Sequence, residues 1–270
     1  MVWRRSRLFW ILNVIMRNHY MTEPEISVIM ATYNCEKTVE KAIDSILAQT
    51  YTKWIMILCD DGSTDGTYAI LERYAQQYPG KFILTRNDTN RKLPYSLNQC
   101  LQYVQTELVA RMDGDDWSTP DRFEKQVTFL LENPKYDLVG TGVAVSDGER
   151  QFASIIKTPI PDKDTMLKDN AFSHASILTY KYVYDTLGGY SLDPTVERVE
   201  DVDLWCRFLA AGFIGYNLPD ELYVILEDVN AAKRRTFRAR LNEAHTRCRG
   251  YKLMGHRGFV CYKPYFWIWK

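Results

Sequence analysis

Surplus charge, long apolar runs, paired cysteines and glycine-rich phosphate loops are all missing from this 270-residue chain, and each absence closes off a class of function. Lysine and arginine number 34 against 34 aspartates and glutamates. Nucleic acid is thereby excluded as a whole-protein partner, because phosphate binding draws its affinity from concentrated positive charge. No apolar run reaches the ~20 residues that a spanning helix needs. The six cysteines (Cys35, Cys59, Cys100, Cys206, Cys248, Cys261) form no CxxC pair and no His-spaced cluster, so a zinc site and a redox motif are unsupported. Buried free thiols in a reducing compartment are expected instead. Neither GxGxxG after the first strand nor GxxxxGK[ST] anywhere is present, which removes the dinucleotide fingerprint and the P-loop. No internal repeat or low-complexity linker occurs.

What is present is an ordinary globular composition, 46% hydrophobic and 25% charged, with enough length for a sizeable core. From Ile26 onward, short apolar runs alternate with helix-period segments. Ile26–Met30, Ile55–Cys59, Phe82–Leu84 and Leu108–Met112 read as strands, and Val39, Ala42, Ile43, Ile46 and Leu47 fall on one helix face. Asp65 and Pro94 are placed to open helices, and Thr119-Pro120 to open another. Strands alternating with helices predict βαβ units and a mostly parallel sheet covered on both faces. After about Asn133 the rhythm loosens into mixed structure: a strand from Leu138 to Val145, a turn at Asp147-Gly148 and a return strand. A helix over 181–187 stopped by Gly188-Gly189 follows, and then one over 201–211 stopped by Gly212.

The two ends differ from the rest. Arg4, Arg5 and Arg7 precede the run Leu8 to Leu12, while Lys233, Arg234, Arg235, Arg238, Arg240, Arg247 and Arg249 precede Tyr265-Phe266-Trp267-Ile268-Trp269. Basic residues with aromatics suit an anionic membrane surface, and packing of both ends on the domain is the alternative. The chain is accordingly divided into a basic amphipathic segment (1–24), a main domain (25–228, split into halves at 118/119) and a basic, aromatic tail (229–270).

In open α/β sheets ligands bind beyond the carboxyl ends of the strands. Those positions hold Ala31-Thr32-Tyr33-Asn34, Asp60-Asp61-Gly62-Ser63-Thr64-Asp65 and Asp113-Gly114-Asp115-Asp116. Asp113-Gly114-Asp115 offers hard oxygen ligands around a bend, suited to Mg²⁺ or Mn²⁺ shared with a substrate diphosphate.

These motifs resemble the inverting glycosyltransferases of family two, over Ile26 to about Ala211. Ser27 to Asn34 is similar to the family's opening strand and Tyr-Asn pair. Ser45 to Tyr51 resembles the helix end that follows, Asp60 to Asp65 the Asp-Asp-Gly-Ser-Thr-Asp element, and Asp113 to Trp117 the metal-binding motif. Glu200-Asp201, with Asp203-Leu204-Trp205, resembles the acceptor-side Glu-Asp motif. The resemblance implies a GT-A fold, with 25–118 as nucleotide-binding half and 119–228 as acceptor half, and transfer of a sugar from a nucleotide diphosphate, UDP-hexose first. It also implies the roles: Tyr33 stacking on the base among Ala31, Thr32 and Asn34, Asp61 accepting from a uracil imide, and Asp60 supporting that turn. Arg91 would reach the nucleotide, although Asn90-Arg91-Lys92-Leu93 departs from the more usual Asn-x-Gly-Leu. Asp115 would be the principal metal ligand, with Asp113 on the metal or the ribose. Asp201 would be the base, kept ionised by its helix N-terminus. Glu200, His174 and Trp117 would contact the acceptor. Trp205 is expected in the core. Members of the family in bacterial O-antigen, capsule or exopolysaccharide assembly imply a polyprenyl-diphosphate-linked saccharide acceptor and a place on the cytoplasmic face of the inner membrane. The competing readings are a nucleotidyltransferase, which would want a glycine- and lysine-rich loop after the first strand, and a non-catalytic binding protein of the same fold.

Overall fold

The computed structural model describes residues 23–227 and 237–267. The N-terminal reading up to residue 22, Lys233 to Arg235, and Ile268-Trp269 lie outside them. The chain runs β1 (Ile26–Thr32), α1 (Val39–Leu47), β2 (Trp54–Asp60), α2 (Thr67–Gln77), β3 (Phe82–Arg86), α3 (Leu93–Gln102) and β4 (Leu108–Asp113). It continues with β5 (Trp117–Ser118), α4 (Arg122–Glu132), β6 (Leu138–Ser146), β7 (Gln151–Ile155), β8 (Leu178–Tyr180), α5 (Lys181–Leu187), α6 (Glu200–Ala210), β9 (Gly215–Leu226) and α7 (Phe237–Leu253). A 3₁₀ stretch, Gly258–Trp267, ends the described chain.

The strands form one sheet in the order β3-β2-β1-β4-β8-β6-β9-β5, with β7 paired to β6. β3, β2, β1 and β4 are parallel. β8 enters antiparallel to both β4 and β6, which changes the sheet's sense midway. Alternation along β1 sends Val28 and Met30 into one core, with α1, α2 and α4, and Ile29 into the other, with α3, α6 and α7. A strand buried on both faces has no polar alternation to show, which is why these strands read as continuous apolar runs.

Four details differ from the sequence reading. Asp65 sits one residue before the cap position, where its Oδ1 accepts from the Thr67 N–H at 3.0 Å. β9 was not expected; Pro219 and Asp220-Glu221 interrupt its apolar pattern, and its register against β6 shifts there. β5, two residues long, pairs with β9. The basic tail is not wholly outward: Arg247 and Arg249 turn onto the domain. Their helix α7 lies so close to α6 that a Cβ on Gly250 would come within 2.3 Å of Cys206 Sγ.

The change of sense in the sheet is held by one side chain. Arg122, fully buried at the start of α4, donates from Nη2 to the carbonyls of Arg111 (3.0 Å), Ala175 (3.2 Å) and Ile177 (3.2 Å). Its Nη1 reaches Ser118 Oγ at 2.9 Å and its Nε reaches Gln126 Oε1 at 3.0 Å. Burying a guanidinium is tolerable only when its donors are occupied in this way.

Candidate active site

The loops after β1, β2 and β4 meet at one edge of the sheet. Asn34, at φ 51°, accepts on Oδ1 from the Thr64 N–H at 2.9 Å, and its own N–H donates to Ser63 Oγ at 3.0 Å. Thr38 Oγ1 donates to the Gly114 carbonyl at 2.9 Å, tying the loop after β1 to the acidic turn. Tyr33 stands 46% exposed at the rim, free to lie against a planar ligand.

Asp60 and Asp61 are buried, and they brace loops. Asp60 Oδ2 accepts from the Ser63 N–H (3.1 Å) and pairs with Arg86 Nε (3.2 Å). Asp61 Oδ1 accepts from Asn87 Nδ2 and the Arg91 N–H, both at 2.8 Å, and its Oδ2 accepts from the Lys92 N–H at 2.9 Å. A carboxylate has about four acceptor positions. Three used here leave room for one more donor. Lys92 occupies φ 74°, ψ 158° at the start of α3, a conformation that belongs to glycine, at the position where the sequence departs from Asn-x-Gly-Leu. The Arg91 side chain lies over the Tyr95 ring at 4.3 Å.

Arg111 and Asp113, two apart on β4, share a face of the strand. The buried guanidinium grips Asp113 through both oxygens, Nη1 to Oδ2 at 3.0 Å and Nη2 to Oδ1 at 2.6 Å. Asp113, Asp115 and Asp116 each offer an oxygen within 4.8 Å of the others. Asp116, not singled out from sequence, is buried and accepts from the Leu226 N–H at 2.9 Å. Burial, and then the charges of Asp113 and Asp115, push its carboxyl up to about 8. Three hard oxygen donors this close together, with Arg111 offsetting the charge of Asp113, fit a divalent cation such as Mg²⁺ or Mn²⁺.

These groups open onto a cavity of about 460 Å³, whose lining also includes His174, Glu200 and Asp201. Burial, ahead of repulsion from Asp201, pushes Glu200 up to about 7, and its Oε2 has no hydrogen-bond partner among the described residues. Asp201 accepts from Asn170 Nδ2 at 3.1 Å, and Arg247 Nη2 donates to Asn170 Oδ1 at 2.9 Å. Burial raises the Asp201 carboxyl above the ordinary range. The helix dipole expected to hold it down is therefore outweighed by desolvation. His174, in contact with the Tyr190 hydroxyl at 2.9 Å, is held well below the usual imidazole range by burial and then by the charge of Arg111, so it is neutral. Lys157, Asn170 and Arg198 line the same cavity and were missed in the sequence, where they sit on loops without periodicity.

The model of glycosyl transferase family 2 matches residues 27–184. The chain belongs to that family. It is 44% identical over 233 residues to EpsE of Bacillus subtilis (strain 168), a protein with a glycosyltransferase name, covering 85% of this chain and 84% of that one. The UDP-Glc:alpha-D-GlcNAc-diphosphoundecaprenol beta-1,3-glucosyltransferase WfaP of Escherichia coli is 25% identical over 203 residues, covering 71% of this chain and 73% of that one. Among solved structures, S. aureus TarS 1-349 in complex with UDP-GlcNAc superposes with a TM-score of 0.66 at 16% identity, covering 84% of this chain and 66% of that chain, just under two thirds of its length. The mannosyltransferase PcManGT from Pyrobaculum calidifontis, in complex with GDP-Man and Mn2+, gives 0.65 at 20% identity, covering 97% of this chain and 75% of that chain. The fold is GT-A, and the protein is a glycosyltransferase.

Within this glycosyltransferase the expected residues divide into two neighbouring groups. Asp113, Asp115, His174, Glu200 and Asp201 line the cavity. Ala31, Thr32 and Asp60 end strands β1 and β2, and Tyr33, Asn34, Asp61 and Arg91 lie on the loops that follow β1, β2 and β3. Trp117 is the exception. It sits on β5, outside the cavity lining, its ring covered by Lys41 Nζ at 3.0 Å from the centroid. Trp205 is buried against Phe172 and His174, as a core residue.

Proposed function

We propose that this glycosyltransferase is inverting and metal-dependent, moving a hexose from a UDP-sugar onto a hydroxyl of a polyprenyl-diphosphate-linked saccharide in bacterial surface polysaccharide assembly. The observation that carries this reading is that the three-carboxylate turn and the Glu200-Asp201 pair line one cavity. A sugar seated between them would present its leaving diphosphate to one group and its acceptor to the other, the arrangement that single displacement with inversion requires. The names of WfaP and TarS 1-349 support a UDP donor, and WfaP supports the lipid-linked acceptor. Such an acceptor places the enzyme at the cytoplasmic face of the inner membrane.

The halves 25–118 and 119–228 would serve donor and acceptor. Tyr33 stacks on the base between Ala31, Thr32 and Asn34, and Asp61 uses its remaining acceptor position for the uracil imide. Arg91, on the loop bound to Asp61, would swing its side chain from the Tyr95 ring to the diphosphate. Asp115 with Asp113 and Asp116 would hold Mn²⁺ or Mg²⁺, which when bound supplies Lewis-acid stabilisation of the departing diphosphate. Asp201 takes the proton from the attacking hydroxyl, and Asn170 keeps the carboxylate aimed. A raised carboxyl is a better base than an ordinary one, since proton affinity sets the driving force. Glu200 and His174 orient the acceptor, the latter as a neutral hydrogen-bonding group.

Titration of UDP into the protein with and without Mn²⁺, followed by transfer assays with a panel of UDP-sugars on a synthetic diphosphate-linked acceptor, tests the reading. Metal-dependent UDP binding and a β-linked product from an α-linked donor are expected. Binding of GDP in place of UDP would overturn the donor assignment, and retention of configuration would overturn the role of Asp201.

A further inference from the structure

Two phenylalanines near the end of the described chain stand side by side on the outside. The rings of Phe259 and Phe266 are 5.4 Å apart and their residues 65% and 60% exposed. Leu253 and Tyr262, also exposed, belong to the same segment. Over 252–267 the charged side chains are Lys252, Arg257 and Lys263, all exposed, with no aspartate or glutamate among them. The opposite side of the segment is fixed: Met254, Cys261 and Pro264 are buried. The aromatic rings cannot turn inward without unseating those three. Beside them is a recess of about 400 Å³ lined by Lys252, His256, Arg257, Cys261 and Tyr262. His256 faces the Lys163 carbonyl at 3.2 Å and Asp164 at 3.9 Å, which leaves Lys252 and Arg257 as its cations.

We infer that this face docks the protein on an anionic lipid bilayer. The rings of Phe259, Tyr262 and Phe266 enter the boundary between headgroups and acyl chains, where amphipathic and aromatic side chains gain most. Lys252, Arg257 and Lys263 lie over lipid phosphates, and the recess seats one headgroup. Within the segment itself the Lys and Arg charges around the exposed aromatics are all of one sign, with Asp164 bordering the recess beside His256, and this favours a lipid surface over a protein partner, whose interface would usually be depleted in lysine. The chain beyond continues in the same character, Ile268-Trp269-Lys270. The inference stands apart from the choice of donor and acceptor, since it needs no turnover.

The full-length protein is sedimented with phosphatidylcholine vesicles, with and without phosphatidylglycerol. Wild type is expected to bind the anionic vesicles, to be released from them as salt is raised, and to bind the neutral ones little at any salt. The double variant Phe259→Ser/Phe266→Ser is expected to lose at least about tenfold in partitioning, and Lys252→Gln/Arg257→Gln/Lys263→Gln about fivefold for each cation removed. Circular dichroism and thermal melting check that each variant is folded, and the triple variant leaves the packed side untouched should the double one fail that check. Equal binding to both vesicle types, no binding by wild type, or undiminished binding by folded variants would overturn the inference. So would a wild-type dimer in sedimentation that the double variant dissolves, because the face would then be occupied by a second copy.

Discussion

Arg247 Nη2 donates to Asn170 Oδ1 at 2.9 Å, and the amide of that same Asn170 holds Asp201 at 3.1 Å. The C-terminal helix thus reaches the carboxylate proposed as base through one intervening side chain. Arg247 also draws the Asp201 carboxyl downward by its charge. Arg247→Gln is therefore expected to lower kcat by about tenfold with donor affinity retained, and to move the acidic limb of the kcat–pH profile to higher pH. A kcat loss with an unmoved limb would mean that Arg247 serves packing alone.

Asp201→Asn keeps the shape of the side chain and removes its basicity. Transfer is expected to fall by roughly 10²–10⁴-fold while UDP affinity changes little. Wild-type turnover in that variant would place the base elsewhere in the cavity.

Among the three clustered carboxylates, Asp115 is the one most exposed to an incoming ion. Asp115→Ala is expected to weaken Mn²⁺-dependent UDP binding by more than the roughly tenfold typical of losing an outer partner. Chelation of divalent ions should bring wild type to the same level. Unchanged affinity in isothermal titration would remove Asp115 from the ligand set.

Glu200 carries a pH signature of its own. Its carboxyl is pushed up to about 7 by burial, above the ordinary value of 4.5, so the folded state binds the proton more tightly than the unfolded one. Stability on this account falls as pH rises from 4.5 to about 7, by roughly 3 kcal/mol, and stays lower above it. Glu200→Gln should raise the urea midpoint at pH 8 and leave it nearly unchanged at pH 4. An equal midpoint at pH 8 would show that Glu200 is solvated when ionised.

Lys92 stands where glycine would be unstrained. Relief of a non-glycine residue from that region is worth ~1–3 kcal/mol, against ~0.5–1 kcal/mol of added chain entropy in the unfolded state. Lys92→Gly is thus expected to stabilise by about 1 kcal/mol in urea unfolding, with the Asp61 contacts kept. A destabilised variant would mean that the lysine side chain makes up the strain through contacts of its own.

Much of this site could be read before the fold. The polar groups after β1, β2 and β4 were found because buried strands are apolar and end abruptly in Thr32-Tyr33-Asn34, Asp60-Asp61 and Asp113. The departure at Lys92 was visible as well, since a missing glycine marks a backbone demand. Arg111 was passed over, although an arginine within Leu-Val-Ala-Arg-Met signals a buried partner, here Asp113. Asn170 and Arg247 could not be paired from sequence, because their contact joins a loop to a helix 77 residues away. The sign of the Asp201 shift was equally hidden: the helix start favours the charge, while the amount of water excluded depends on the whole cavity. β9 escaped because its bulge falls where the alternation would have shown.

Arg122 fastens the parallel and antiparallel parts of the sheet by collecting carbonyls from Arg111 on one side and from Ala175 and Ile177 on the other. A joint of that kind leaves no hinge at the boundary, for opening it would strand a buried cation and three carbonyl oxygens at once. Rotation of one part of the sheet upon the other at this seam is disfavoured accordingly. Any closing around a substrate falls to the loops that border the site, the Asp61-bound stretch before α3 and the turn around Arg198, and the clock of the enzyme would be set by loop motion rather than by rotation of one half upon the other.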